Sequence, residues 1–149
     1  MEVRRDGYLI SDDPSRIDVE ATWRFLRTTY WSPDVPREAV ERSIAGSICL
    51  GLYAPDEGQA GFARAVTDRA TFAWIADVFV TTEHRGRGLG VWLVETLLGH
   101  PDLAGLRLVT LATADAHGLY ERFGFERIDA QRFMSFRRPL AELYGRSGE

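Results

Sequence analysis

The sequence predicts an α/β fold of the α+β type, in which helices cover a central sheet. Residues 71–80 are rich in aromatic and β-branched side chains, which favours a strand. Residues 106–112 are almost continuously apolar, as expected for a strand that is buried on both faces. Residues 16–30, in contrast, repeat apolar side chains at the spacing of one helical face. Strands and helices of these kinds, alternating along one chain, indicate a layered mixed fold.

The individual elements follow from periodicity and from residues that begin or end them. Ser15 and Asp18 have the spacing of a helix-capping box, and Pro36 is tolerated in a first helical turn. Gly99 and Gly124 end the two later helices. In chain order we predict a strand (3–10), two helices (16–30 and one from Pro36), three strands (50–54, 59–67, 71–80), a helix (91–98), a strand (106–112), a helix (114–123) and two strands (125–129, 133–138).

Length and charge restrict the possible functions. The 149 residues fit one domain spanning 1–149. All 18 basic residues are arginine, so a lysine Schiff base and the lysine of a P-loop are excluded. The 22 acidic residues give a net charge of −4, which does not favour nucleic-acid or anionic-membrane partners.

The only cysteine and the lack of long apolar runs set further limits. Cys49 alone cannot form an intramolecular disulfide or a Cys-rich metal site, and its apolar neighbours Ile48 and Leu50 indicate a core position. The N-terminus lacks the apolar run of a signal peptide, and no stretch approaches the ~18 residues of a membrane span. We therefore expect a cytoplasmic protein.

A glycine-rich turn at residues 81–90 carries the strongest chemical signal. It joins a predicted strand to a predicted helix, and Gly86, Gly88 and Gly90 alternate within it. Glycines let backbone N–H groups converge, and a helix N-terminus adds unpaired donors and partial positive charge. These features favour a phosphate or pyrophosphate ligand, although a tight loop without a ligand is the alternative. The G-x-G-x-G spacing does not match the dinucleotide-binding fingerprint.

The turn and two further segments resemble one known family. Arg85-x-x-Gly88-x-Gly90 is similar to the R/Q-x-x-G-x-G/A signature of the GNAT superfamily of N-acetyltransferases. Residues 74–80 look like the family's fourth strand, and residues 119–125 look like its late L-Y-x-x-x-G-F motif. The resemblance covers about residues 45–138. It implies a GNAT-like fold: a mixed, mostly antiparallel sheet of six to seven strands flanked by four helices and splayed between the fourth and fifth strands.

The resemblance also implies acetyl-CoA as co-substrate and no metal. Phe79 and Val80 would contact pantetheine through their backbone, and a backbone N–H near Val78 would polarise the thioester carbonyl. Thr113 stands where many members have asparagine and keeps a hydroxyl, and Phe123 is assigned to the same site. The residues expected to hold the pyrophosphate, mainly through their amides, are Arg85, Gly86, Arg87, Gly88, Leu89 and Gly90.

By the same resemblance, Tyr120 is the general acid that protonates the departing thiolate. A thiol pKa of ~8.5 lies below a phenol pKa of ~10, so this proton transfer is only modestly uphill. A base must also take a proton from an attacking amine. Asp77 is the main candidate, on a strand face shared with Ile75 and Phe79, and the alternative is a buried carboxylate with satisfied hydrogen bonds. The other candidates are His84, His117 and Glu83.

The acceptor pocket is expected at Tyr30 and Trp31, with His117 and residues 133–136 nearby. Trp31 could stack on a cationic amine or instead fill the core. The resulting prediction is an acetyl-CoA-dependent N-acetyltransferase acting on a primary amine of a small molecule or protein. The alternatives are a noncatalytic acyl-CoA-binding module and an enzyme acting on a macromolecule such as aminoacyl-tRNA, which the negative charge disfavours. A homodimer is compatible with the resemblance.

Overall fold

A six-stranded sheet forms the centre of the computed structural model, which describes residues 1–145. The strands lie in sequence order, antiparallel throughout except for the last pair, which is parallel. The elements are β1 (Glu2–Arg5), β2 (Tyr8–Ser11), α1 (Val19–Leu26), α2 (Arg37–Ala45), β3 (Ile48–Ala54), β4 (Gly58–Thr67), β5 (Phe72–Val80), α3 (Leu89–Leu98), β6 (Leu108–Thr110), α4 (His117–Glu121) and α5 (Leu140–Leu143). The predicted fold class is confirmed, and the six strands lie within the predicted range of six to seven. No helix within residues 1–145 is long and apolar enough to cross a membrane.

The chain opens with a hairpin, so the prediction of one strand over residues 3–10 is wrong. Asp6 and Gly7 both adopt left-handed backbone conformations, with φ of 51° and 83°. An Asp-Gly pair of this kind forms the tight turn that suits the twist of two antiparallel strands. The turn returns β2 beside β1, with Arg5 opposite Tyr8.

Helix α1 begins later and ends earlier than the periodicity predicts. Asp18 caps it, because its Oδ1 accepts a hydrogen bond from Ala21 N at 3.0 Å. Ser15 is instead bonded to Asp13, so the predicted Ser15–Asp18 capping box is wrong. At the other end, the hydroxyls of Thr28 and Thr29 donate to backbone carbonyls of the last turn. Such local bonds compete with helix continuation, and they leave Tyr30 and Trp31 in a loop.

The two faces of the sheet bury separate cores. On one face, α3 packs Leu93 and Leu97 against Leu50 and Leu52, all of them fully buried. On the other face, α1 and α2 cover a second cluster that includes Leu26, Val40, Cys49, Phe62 and Phe79. Cys49 is therefore a core residue, as predicted, and burial raises the pKa of its thiol to about 12.

A bulge in β5 changes which side chains share a face. The register with β4 shifts between Phe62 and Arg64, and Asp77 adopts a left-handed φ of 55°. As a result Ile75 belongs to the core under α3, whereas Phe79 belongs to the core under α1 and α2. The prediction that Asp77 shares a face with both residues is wrong, because it assumed unbroken alternation.

The sheet opens between β5 and β6, as the resemblance implies. These two strands correspond to the predicted fourth and fifth strands, residues 71–80 and 106–112. The two strands pair only from Phe72 to Trp74, so the rest of β5 has no partner on that side among the described residues. The strand predicted over 106–112 is reduced to three residues, and the helix predicted over 114–123 to α4. The strands predicted over 125–129 and 133–138 are absent, and α5 is a fifth, short helix.

Candidate active site

The glycine turn presents backbone N–H donors at the start of α3. Gly86 and Gly88 have φ of 80° and 75°, which L side chains rarely adopt. Gly88 precedes Leu89, and no side chain of residues 1–145 caps the helix. The first helical bond at this end runs from Trp92 N to Gly88 O, at 3.1 Å. The amides of the first turn are therefore available to an anion, which the helix dipole also favours.

Three arginines surround this turn. Arg85 Nε donates to Val80 O at 3.0 Å and so ties the turn to the end of β5. Arg87 is exposed. Arg5, from β1, donates to Gly88 O at 3.3 Å and lies 4.6 Å from the ring centroid of Trp92. The contact of Arg5 with this turn could not be predicted from sequence patterns, because 83 residues separate Arg5 from Gly88.

His84 is fixed by contacts at both of its ring nitrogens. Its Nδ1 lies 2.8 Å from the hydroxyl of Tyr8, and its Nε2 lies 3.0 Å from a carboxylate oxygen of Glu57. These contacts fasten the segment before the glycine turn to β2 and to the β3–β4 turn. Three cavities lie near β5 and β6, and neither His84 nor Glu83 lines any of them.

A cavity of about 510 Å³, called here the strand-end cavity, follows the unpaired end of β5 to the glycine turn. Val78, Phe79 and Val80 form one wall, and Arg85 lies at its end. The end of α1 and the loop after it also line this cavity, and Phe25 of α1 stacks on Phe79 with a centroid distance of 3.9 Å. An extended ligand here would meet strand backbone along its length.

A larger cavity of about 1100 Å³, the splay cavity, lies where β5 and β6 separate. Tyr30 bridges its mouth, because its hydroxyl accepts a hydrogen bond from Ala114 N at 3.2 Å. Thr113 also lines it, and its hydroxyl accepts from Ala116 N at 3.0 Å. Arg137 and Arg138 line the cavity, whereas residues 133–136, expected there from the sequence, do not.

Asp77 lies in the splay cavity with both carboxylate oxygens hydrogen-bonded. Oδ1 accepts from Trp31 Nε1 at 2.9 Å, and Oδ2 accepts from Arg64 Nε at 2.6 Å. Arg64 also donates to Ser47 Oγ at 3.1 Å. The ion pair is largely buried, with 9% of the Asp77 side chain and 17% of the Arg64 side chain exposed. Trp31 is 40% exposed and belongs to this network, so it does not fill the core.

Tyr120 separates the splay cavity from a third cavity. The third cavity, called the edge groove, has a volume of about 770 Å³ and runs along β6. Tyr120 lines both cavities and is 8% exposed. Burial raises the pKa of its phenol above the usual value, and the neighbouring Tyr30 adds to this effect. His117 and Phe123 line the edge groove and not the splay cavity, so the structure does not bring them together with Trp31 and Asp77.

Comparison with known proteins decides the family. Residues 46–127 match the acetyltransferase (GNAT) domain family. The chain belongs to the GNAT acetyltransferase family. A "putative acetyltransferase" of Gibberella zeae is 32% identical, with 78% of this chain and 77% of that protein covered.

Solved structures agree with this assignment. The crystal structure of a "putative acetyltransferase belonging to the gnat family" from Xanthomonas campestris pv. campestris is 43% identical to this GNAT chain. It has a TM-score of 0.86, with 93% of this chain and 97% of that one covered. Glucosamine-6-phosphate N-acetyltransferase from Arabidopsis thaliana is 19% identical, with a TM-score of 0.62 and coverage of 87% and 99%. At that identity the likeness shows the fold alone.

GNAT proteins in general use acetyl-CoA, and this GNAT chain has features that fit such a ligand. The uncapped start of α3 suits a pyrophosphate, and the strand-end cavity suits an extended arm. Within residues 1–145, no group of three or more His, Cys, Asp or Glu side chains is arranged to hold a metal ion.

Proposed function

We propose that this GNAT chain transfers an acetyl group from acetyl-CoA to a primary amine by direct attack. The amine nitrogen forms a bond to the acetyl carbon, and the bond from that carbon to the CoA sulfur breaks. One proton leaves the amine and another reaches the sulfur. The acceptor is a small molecule or a protein amine that enters through the splay cavity.

The order of the cavities supports the proposed binding of acetyl-CoA. The amides of residues 85–90 hold the pyrophosphate, and Arg87 and Arg5 add positive charge at the same turn. Pantetheine follows Val80 and Phe79 along the strand-end cavity. The thioester then lies near Val78, which lines both the strand-end cavity and the splay cavity. A backbone N–H there stabilises the developing oxyanion.

Tyr120 carries the proposal. It is buried beside the splay cavity, and its raised pKa keeps the phenol protonated at neutral pH. A general acid needs its proton at the start of the step, and a phenol holds its proton at neutral pH. We therefore assign Tyr120 the protonation of the departing thiolate.

Asp77 is the proposed acceptor of the amine proton, directly or through water. Among Asp77, His84, Glu83 and His117, only Asp77 lines the splay cavity. Each carboxylate oxygen accepts one protein hydrogen bond and keeps a further lone pair for the substrate. Trp31 and Tyr30, both exposed at the cavity, supply aromatic surface for the acceptor.

A panel of primary amines with acetyl-CoA tests the activity, with release of free CoA thiol as the readout. Buried Cys49 contributes little background to a thiol assay, because its raised pKa disfavours the thiolate. Acetylation of at least one amine is expected. Binding of CoA by calorimetry without turnover on any amine would contradict the proposal and favour an acyl-CoA-binding module.

Tyr120→Phe tests the acid. Loss of the hydroxyl should lower kcat by about 10²–10⁴-fold, because the thiolate then leaves unprotonated. The KM for acetyl-CoA should change little, since the pyrophosphate site is untouched. Tyr144→Phe, on a tyrosine that packs on the core under α1 and α2, is the matched control and should keep full kcat. Equal kcat values for the two variants would remove Tyr120 from the mechanism.

A further inference from the structure

The guanidinium of Arg64 is fixed in the wall of the splay cavity but is only partly used by the protein. Its Nε donates to Asp77 Oδ2 at 2.6 Å, and its Nη1 donates to Ser47 Oγ at 3.1 Å. The hydroxyl of Ser47 donates in turn to Ser43 O at 2.7 Å, which fixes its own position. Within residues 1–145, Nη2 of Arg64 has no protein acceptor. The two N–H donors of this nitrogen therefore remain for a ligand.

The carboxylate of Asp77 contacts Arg64 through a single nitrogen. A bidentate pair would occupy two guanidinium nitrogens at once. Here the second oxygen of Asp77 accepts from Trp31 Nε1 at 2.9 Å instead, so the carboxylate is shared between two donors. A charged donor and a charged acceptor, each with unused hydrogen-bonding capacity, thus lie side by side in one cavity.

Such a pair matches a ligand that carries an amine and a carboxylate on one carbon atom. When the amine bonds to Asp77, the carboxylate lies beside Arg64, whose planar group suits a carboxylate. A free α-amino acid has this arrangement. The N-terminus of a peptide has a neutral amide in place of the carboxylate, and a lysine side-chain amine has no charge close to it.

The charges around the splay cavity favour the same class of ligand. Its charged lining residues are Arg64, Arg137, Arg138, Asp77 and Asp115. Three positive charges against two negative ones make the lining net positive, whereas the whole chain carries −4. Apart from the pair of Arg64 with Asp77, none of them forms a salt bridge within residues 1–145. A simple cationic amine is repelled by such a lining, and an added carboxylate on the ligand reverses the effect.

The remaining wall of the splay cavity suits an apolar side chain. The cavity has a volume of about 1100 Å³. Trp31, Trp74 and Leu140 line it, and each of them is 40% exposed. Aromatic and aliphatic surfaces of this kind gain free energy when a ligand covers them. The charged end and the apolar side chain of one amino acid therefore find separate parts of the same wall.

We propose that the acetyl acceptor is a free amino acid with an apolar side chain, whose carboxylate is bound by Arg64. This inference depends on the proposed function, because it takes the acceptor to occupy the splay cavity. A nitrogen–carbon bond forms and the carbon–sulfur bond of acetyl-CoA breaks. The amine proton passes to Asp77, and the thiolate takes the proton of Tyr120. The products are an N-acetyl amino acid and CoA.

Amino acids compared with their amides test the carboxylate site. The probes are L-phenylalanine, L-leucine and L-methionine, each assayed beside its amide with acetyl-CoA. An amide keeps the amine and the side chain but removes the negative charge. For at least one pair the KM of the acid should be lower by about tenfold or more, because only the acid forms a charge-assisted bond to Arg64. Equal KM values, or a preference for the amide, in every pair would overturn the inference and leave acetyl transfer intact.

Calorimetry with the same probes separates this inference from the proposed function. The acids and amides are titrated into the full chain in the presence of CoA. Tighter binding of an acid than of its amide, without acetylation of any amine, would support the carboxylate site and contradict the proposed function. The absence of any such preference in both binding and turnover would overturn the carboxylate site.

Arg64→Lys tests the residue, because lysine keeps the charge beside Asp77 but lacks the planar fork. The ratio of amide KM to acid KM should fall toward one, and urea unfolding checks that the variant folds. Arg137→Gln/Arg138→Gln changes two exposed side chains and should lower the same ratio without loss of stability. Arg42→Gln, on exposed α2 surface outside the described cavities, is the matched control and should keep the ratio. A wild-type ratio in a folded Arg64→Lys variant, or in the double variant, would overturn the inference.

Discussion

At the scale of single residues, the position of Asp77 is set by partners that are distant in sequence. Arg64 lies 13 residues away and Trp31 lies 46 residues away, yet each donates to one carboxylate oxygen. The left-handed φ of Asp77 turns its side chain out of the strand alternation and toward both. The network thus joins β4, β5 and the loop after α1 at the splay cavity.

Asp77→Asn should lower both stability and turnover. An amide has one acceptor oxygen and cannot serve Arg64 and Trp31 together, so a buried charge loses its partner at a cost of about 3–5 kcal/mol. If Asp77 takes the amine proton, kcat should fall and the acidic limb of the kcat/KM pH profile should disappear. Urea unfolding and a pH–rate profile measure the two effects separately.

Trp31→Phe is the matched control for that experiment. It removes one hydrogen bond but keeps the carboxylate and its ion pair with Arg64. The KM for the amine should rise while the acidic limb remains. An acidic limb that survives in Asp77→Asn would assign the proton to another group.

At the scale of elements, the proposed pyrophosphate site depends on the backbone conformation of the glycine turn. Gly88 holds a left-handed φ immediately before α3, which aims the first-turn amides away from the helix. A side chain there has room, since the nearest atom to a Cβ would be Arg5 Nη2 at 3.9 Å. The requirement at Gly88 is therefore conformational and not steric.

Gly88→Ala should weaken acetyl-CoA binding as well as stability. A left-handed conformation costs an L residue about 1–2 kcal/mol, and relief of that strain would move the amides. Gly58→Ala is the matched control, because Gly58 has a φ of 78° with open space around its Cβ position and is the first residue of β4, next to the β3–β4 turn. Both variants should lose similar stability in urea, but only Gly88→Ala should raise the KM for acetyl-CoA several-fold. An equal KM in both variants would contradict the proposed role of the turn.

At the scale of the whole molecule, we expect a carboxylate at the β4–β5 turn to affect stability in acid. Asp68 accepts hydrogen bonds from Thr71 Oγ1 and from the backbone N–H groups of residues 70–72. The bond from Thr71, with help from the backbone donors, holds the pKa of Asp68 well below its usual value of 3.8. A depressed pKa in the folded state stabilises the protein above the unfolded pKa, and this contribution is lost as the pH falls through the folded pKa.

Asp68→Asn should therefore lower the Tm at neutral pH and flatten its dependence on pH below about pH 5. The difference in Tm between Asp68→Asn and the wild type should shrink toward about pH 2, where the wild-type carboxylate contributes less to the stability of the folded state. Glu38→Gln, at the exposed start of α2, removes one negative charge elsewhere and controls for net charge. Parallel Tm curves for wild type and Asp68→Asn would contradict this account.

Much of the fold could be predicted from local signals. The strong strand β5, the apolar helix α3 and the glycine turn between them depend on nearby residues, and their predicted positions agree with the structure. The hairpin turn at Asp6-Gly7 and the cap at Asp18 were also local signals, but they were assigned wrongly. The bulge at Asp77 could not be predicted, because alternation alone does not reveal an extra residue in a strand.

The sequence by itself determined the α/β class, the GNAT resemblance, the buried Cys49 and the segment that carries the glycine turn. Each of these conclusions depends on residue types and on the spacing of residues that are close together in the sequence. The tertiary structure decided which residues meet: Arg5 at Gly88, Trp31 and Arg64 at Asp77, and Tyr120 between two cavities. It also left residues 133–138 outside the sheet of the described chain, although their sequence favours a strand. A strand needs a neighbouring edge, and the path of the whole chain decides whether one is within reach.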